Sequence, residues 1–347
     1  MTQSGDRQMQ ALQYSAPRRM QMIRTPIPVP GRHEVLIRVA YSGICGSELS
    51  GFLGESSIRT PPLIFGHEIS GHVHQAGAAV PPALAVGTAV AINPLTSCGS
   101  CQHCLIGQQQ RCSDRRLLGA TDPGGNAEYV AVPWHSAMPV APEMDLAAAA
   151  TVEPVAFALH AVQQASVSPS DVVIVIGAGT IGLLILQVLR EFGVASRYVV
   201  EPNPDRLAVA LQDGARALDP GRDPGEQLRD DGIDGADIAI DGVGLPSTRR
   251  QALTALRPGG RMLLVGLHSD ATELPLNHVV RSELHLLGVF AYSPLHVRTA
   301  LTWLAQGRVS IADHLVAAPL TDGQRWYERL VAGDPAVKVL LRPGAGS

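Results

Sequence analysis

Five consecutive apolar residues, followed at once by a glycine-punctuated turn, constrain the second half of this chain. Val172–Ile176 is an unbroken apolar run, the pattern of a parallel strand covered on both faces. Gly177-Ala-Gly179-Thr180-Ile181-Gly182 comes next. Ile181, Leu184, Ile185, Val188, Leu189 and Phe192 then recur at helical spacing. A strand, a tight turn and an amphipathic helix in that order predict an α/β fold with a doubly wound parallel sheet. Residues 198–200, 236–240, 262–265 and 284–289 supply further strands, with Gly259-Gly260 turning the chain into the run at 262–265.

The turn also has the spacing of a dinucleotide loop. Gly177 permits the tight bend, Gly179 lets a pyrophosphate approach the backbone, and Gly182 lets the helix pack against the strand. The N–H groups at the helix start, among them Thr180 and Ile181, present a positive dipole end to phosphate. Glu201 follows about twenty positions on, at the end of the second strand. Its carboxylate suits the adenosine ribose hydroxyls and repels a 2′-phosphate, which favours NAD over NADP. Arg206 can neutralise a phosphate, or it can pack on the adenine and hydrogen-bond the ribose. The plainer alternative is a glycine turn that holds no nucleotide.

The chain has five cysteines, and four of them are clustered: Cys98, Cys101, Cys104 and Cys112. Four thiolates on one short loop can close a tetrahedral shell, as structural zinc sites do. An iron–sulfur loop has a shorter last gap and a following proline; here the gap is seven and Ser113 follows. An odd cysteine count with a clustered set fits reduced ligands better than disulfides. The fifth, Cys45, lies in Gly43-Ile-Cys-Gly-Ser-Glu48, upstream of His67-Glu68 and of Glu153. One thiolate, one imidazole and one carboxylate leave a metal position open, the arrangement used for chemistry.

The first part reads as β-rich. Runs at 35–41 and 89–92, with dense proline and glycine between them, predict a folded-over β barrel. Residues 146–165 are alanine-rich and helical, and Pro154 places Glu153 at a break in that helix. The run at 337–341 is a strand expected to rejoin the first domain. The expected organisation is residues 1–155 with a four-cysteine lobe at about 95–115, then 156–293, then a returning segment at 294–347.

A net charge of −4, without a lysine or arginine run, argues against nucleic acid and anionic membrane as partners. No apolar stretch is long enough to span a bilayer. Residues 1–9 lack the apolar core of a secretory signal. A cytoplasmic protein is expected.

Taken jointly, residues 43–47, Gly66-His67-Glu68, the four-cysteine lobe, Glu153-Pro154 and the turn at 177–182 resemble one family. The chain is similar, from about 9 to 343, to zinc-dependent medium-chain dehydrogenases/reductases, the alcohol and polyol dehydrogenases. That resemblance implies a GroES-like catalytic domain, a Rossmann domain, a cleft between them, and dimers or tetramers built by edge-to-edge pairing of Rossmann sheets. It implies two zinc ions per chain and NAD. Cys45 and His67 match catalytic zinc ligands, and Glu153 resembles the sorbitol and threonine dehydrogenase branch. Either Glu68 or Glu153 can be the inner carboxylate. Ser47 matches the hydroxyl that takes the substrate proton. Where many relatives continue the relay with a histidine, this chain has Ser50, so the proton is expected to leave through ordered water.

The expected substrate is a small-molecule alcohol: a polyol, sugar alcohol or amino alcohol. Phe52, Leu53, Ile58 and Phe290 are expected to line its pocket, and Arg59 is expected at the surface rather than facing an anionic substrate. His72, His74, His135 and His160 are read as packed side chains. Two alternatives stand beside this reading: a simple alcohol or aldehyde reductase, and a non-catalytic NAD- and zinc-binding structural or regulatory protein.

Overall fold

The computed structural model describes residues 7–344. The backbone divides into two compact units. One runs to Glu153 and resumes at Tyr292, and the other spans Pro154–Ala291.

The second unit is built on six parallel strands, as the continuous apolar runs require. In the unit's own sequence order these are Val172–Ile176, Ser196–Val200, Arg216–Leu218, Ala236–Asp241, Leu256–Leu264 and His285–Gly288. Their spatial order is 3-2-1-4-5-6, which reverses beside the first strand, where doubly wound sheets bind ligands. The fifth strand begins at Leu256 and carries Gly259-Gly260 inside it. Ile174, Tyr198, Leu228, Ala239 and Met262 fill one face of the sheet. Helix Thr180–Glu191 buries Leu183, Leu184, Leu186 and Val188. Asn203 and Asp223 cap the next two helices, each with a proline in its first turn.

The first unit is strand-rich. Its largest sheet sets Glu34–Gly43 beside Glu68–Ala76 on one side and Lys338–Arg342 on the other. Register brings Gly43 opposite both Glu68 and Leu340. Segments far apart in sequence therefore end at the same place, just before Cys45. A hydrophobic cluster beneath them contains Leu12, Tyr14, Phe52, Phe65, Trp326, Tyr327 and Leu341.

One local expectation needs correction. Helices Leu146–Ala150 and Val152–Ala165 are separated at Thr151, so Glu153 lies in the first turn of the second helix and not at the break. Pro154 fits there because first-turn N–H groups have no intrahelical acceptor to lose. Among the described residues no helix is long and apolar enough to cross a membrane.

Candidate functional site

The four-cysteine lobe is assembled from turns. Cys101 precedes the short helix Gln102–Leu105, which carries Cys104, and Cys112 follows a single turn at Gln109–Arg111. Sulfur separations are 3.9 Å for Cys98–Cys104, 3.5 Å for Cys101–Cys104 and 3.6 Å for Cys98–Cys112. A zinc–sulfur bond of about 2.3 Å gives a tetrahedral edge of about 3.8 Å, whereas a disulfide holds its sulfurs about 2.05 Å apart. The spacing fits a closed zinc shell, and all five cysteines are free of disulfides. Backbone N–H groups of Ser100 and Cys101 hold the Cys98 thiol down to about 6, which favours the ligating thiolate.

The second cluster sits where the three strands meet. Cys45 is the N-cap of helix Gly46–Leu53, in an extended conformation, and its side chain makes no capping hydrogen bond. One donor atom each from Cys45, His67 and Glu68 lie within 4.8 Å of one another. His67 is 3% exposed, and its Nδ1 lies 2.6 Å from Glu48 Oε1. A carboxylate only accepts, so Nδ1 carries a proton, and Nε2 is the ring nitrogen left for a metal once its own proton is displaced. Burial disfavours a charged imidazole, yet Cys45 and Glu48 outweigh it and hold His67 well above its ordinary value. Negative charge that draws a proton this firmly also suits a divalent cation.

Glu68 is fully buried. Its Oε1 accepts from Lys338 Nζ at 2.7 Å, and its Oε2 has no hydrogen-bond partner. A carboxylate oxygen abandoned this way costs about 1–3 kcal/mol or more unless something claims it. A metal shared with Cys45 and His67 would do so. Glu153 lies in the same charged neighbourhood, though outside that three-residue set. Burial, with Glu68 adding to it, holds its carboxyl above the ordinary range. Tyr292 is buried beside it, and burial and the Glu153 charge raise its phenol well above the usual value.

Ser47 Oγ lies 3.4 Å from Cys45 Sγ. Arg59 is only 4% exposed, so its expected surface position is incorrect. Its guanidinium donates to Ser47 Oγ at 3.2 Å, to Ser47 O at 3.3 Å and to Gly119 O at 3.1 Å. Phe52, expected in a substrate pocket, is instead packed in the core with its ring centroid 5.4 Å from that of Tyr327. Ile58 and Phe290 are exposed.

Four contributors went unassigned from sequence: Glu48, Arg59, Tyr327 and Lys338. Glu48 is the hub. Its Oε1 also accepts from the Gly66 N–H at 3.0 Å, and its Oε2 accepts from the Tyr327 hydroxyl at 2.6 Å. The available signal was a carboxylate three residues after Cys45.

In the second unit, Gly177 has φ +93°, a conformation that side chains disfavour. A Cβ on Gly182 would sit 1.8 Å from the Gly177 carbonyl oxygen, so only glycine lets this helix pack so closely. Gly179 is the helix N-cap, followed by Thr180 and Ile181 in the first turn. Glu201, 3% exposed, accepts from the Ala178 N–H at 2.7 Å, the Asn203 N–H at 2.8 Å and Arg206 at 3.0 Å. A carboxylate has about four acceptor sites, so these three contacts leave one open for a ribose hydroxyl.

The family description "Alcohol dehydrogenase GroES-like domain" matches residues 31–142, and "Zinc-binding dehydrogenase" matches residues 180–306. A probable D-xylulose reductase A from Arthroderma otae is 33% identical over 335 residues, covering 91% of this chain and 92% of that protein. A solved Escherichia coli CFT073 protein, described as a short chain alcohol dehydrogenase complexed with NADH, is 28% identical. It superposes with a TM-score of 0.89 over 97% of this chain and all of its own. Galactitol-1-phosphate dehydrogenase from Escherichia coli is 27% identical, with a TM-score of 0.87 over 96% of this chain and 100% of that one. Identity sustained over nine-tenths of both chains exceeds what a shared fold explains, and the chain belongs to the zinc-dependent medium-chain dehydrogenases/reductases, joining a GroES-like domain to a Rossmann domain.

Proposed function

We propose that this chain is an NAD-linked dehydrogenase that reversibly oxidises a polyol or sugar alcohol. Two zinc ions per chain are part of the proposal: one closed by Cys98, Cys101, Cys104 and Cys112, the other held by Cys45, His67 and Glu68. The observation that carries the reading is that Glu68, whose carboxylate brings one oxygen within 4.8 Å of the Cys45 and His67 donors, is buried with its Oε2 unpartnered. It favours Glu68 over Glu153 as the inner carboxylate. When bound, zinc supplies Lewis-acid stabilisation of an alcohol oxygen, and nicotinamide accepts a hydride.

The chain's own residues do the rest. Glu48 fixes the His67 tautomer and ring. Ser47 presents a hydroxyl that can relay the alcohol proton, accepting it while passing its own to water. Arg59 holds that hydroxyl and cannot carry the proton onward, because a guanidinium stays protonated. Glu153 offers a buried carboxyl beside the centre for a substrate hydroxyl. Glu201 and Arg206 hold the adenosine end of NAD, with Gly177, Gly179, Thr180, Ile181 and Gly182 forming the pyrophosphate turn.

The relatives named for xylulose and galactitol-1-phosphate support a polyol-like substrate. Unpaired cysteines support a reducing, cytoplasmic setting. The last sheet strand, His285–Gly288, has one neighbour among the described strands, and its open edge supports a homo-oligomer formed by edge pairing. The test is NADH formation across polyols, sugar alcohols, amino alcohols and aliphatic alcohols. Polyol turnover that a chelator abolishes is expected. A fully zinc-loaded enzyme that reduces NAD with aliphatic alcohols alone would overturn the substrate class.

A further inference from the structure

Lysine and arginine together number 27, and one of them is lysine. A chain that uses arginine for every other long cation keeps an ammonium at a single place, Lys338. That residue is 3% exposed, at the start of the strand that meets the open cluster. Its Nζ donates to Glu68 Oε1 at 2.7 Å and to the Ile44 carbonyl, next to Cys45, at 3.0 Å.

The two cations differ in the property that matters at this spot. An ammonium is a compact point donor and can engage one carboxylate oxygen. A guanidinium is a planar fork that engages both oxygens in parallel. At Glu68 that fork would take Oε2 as well as Oε1. In the structure Oε2 is left without a partner, and it occupies the space that a side chain on Gly43 would need. A Cβ there would come within 2.1 Å of Oε2. Glycine below and a single-oxygen contact beside it thus leave one carboxylate oxygen for the Cys45 and His67 group.

We propose that Lys338 is the positioning residue of the open metal centre, holding Glu68 by one oxygen so that the other alone is offered to the metal. The inference rests on the reading that Cys45, His67 and Glu68 bind zinc, and it is independent of the substrate.

The test uses the full chain with Lys338→Arg, Lys338→Met, Glu68→Gln and the double variant Lys338→Met/Glu68→Gln. Zinc retention is titrated with a chelator, the four-cysteine zinc serving as internal reference. Cobalt substituted at the open site reports its ligand set by visible absorption. Both Lys338 variants are expected to lose zinc from the open site at about 10- to 100-fold lower chelator and to shift the cobalt bands. The double variant is expected to bind no more weakly than Glu68→Gln alone, because the lysine acts through that carboxylate. Native affinity and native bands in Lys338→Arg would overturn the inference. So would a double variant weaker than Glu68→Gln by a further factor of about 10. If Lys338→Met does not fold, Lys338→Arg decides alone, since it keeps the charge. A native chain holding only the four-cysteine zinc defeats the underlying metal reading instead. Failure to oxidise any polyol leaves the zinc result untouched.

Discussion

Tyr327→Phe removes one oxygen from the buried network and little else, so its cost can be worked out from contacts. The hydroxyl donates to Glu48 Oε2 at 2.6 Å and accepts from Asn126 Nδ2 at 3.1 Å. A phenylalanine keeps the ring packing against Phe52 and Phe65, at centroid separations of 5.4 and 6.0 Å. The packing contribution therefore nearly cancels. A hydrogen bond to a charged group contributes about 1.5–3 kcal/mol, and the neutral one from Asn126 about 0.5–1.5 kcal/mol. The expected destabilisation is about 2–4.5 kcal/mol. All three tryptophans, Trp134, Trp303 and Trp326, belong to this unit, so tryptophan emission during urea unfolding reports it alone.

The deficit should depend on pH in a fixed direction. Burial pushes the Glu48 carboxyl up, but His67, Arg59 and Tyr327 outweigh it and hold it below its ordinary value of 4.5. A carboxyl lowered by folding stabilises fully above its unfolded value, and that contribution is lost as pH falls through the folded one. The difference between native and variant should be full near neutrality and shrink in acid. A deficit below about 0.5 kcal/mol at neutral pH would show that Tyr327 does not hold Glu48, and the hub account would fail.

Cys104→Ser should halve the zinc content and lower the unfolding midpoint before it changes turnover, because a closed shell contributes folding energy. A stable variant that keeps all its metal would refute this. Gly182→Ala should weaken NADH binding more than 10-fold in a fluorescence titration, since a collision of 1.8 Å with backbone can be relieved only by moving the helix. Near-native affinity would show that the helix can shift without harm. Glu201→Ala should raise the NADP-to-NAD ratio of kcat/KM by at least about tenfold, by releasing Arg206 toward a 2′-phosphate. An unchanged ratio would remove Arg206 from cofactor choice.

Much of the architecture was legible because its signals are local. The buried run Val172–Ile176 and the glycines after it announce the first strand and its turn without help from distant residues. Cys98 to Cys112 sit on one short loop, so spacing alone brings them together. The open cluster is different. Cys45, His67 and Glu68 became candidates through their types, while two of the side chains that hold the network came from the far end of the chain. Tyr327 reaches Glu48 across 279 positions, and Lys338 reaches Glu68 across 270. No periodicity encodes such pairings; sheet register does. Arg59 misled because arginine is usually solvent-exposed. Here three oxygen acceptors satisfy it inside the protein. Phe52 misled because proximity to Cys45 in sequence suggested a pocket wall, whereas its helix turns that face toward Tyr327.

The burial of the lone lysine has a practical side. Acylating reagents, aldehyde resins and other amine-directed chemistries need an accessible ε-amino group, and at 3% exposure Lys338 gives them none on the folded surface. Reaction at that side chain would therefore mark molecules that have opened at the strand beside Cys45. The rate of labelling at Lys338 itself, measured with and without added zinc, would serve as a gauge of how often that end of the sheet comes apart.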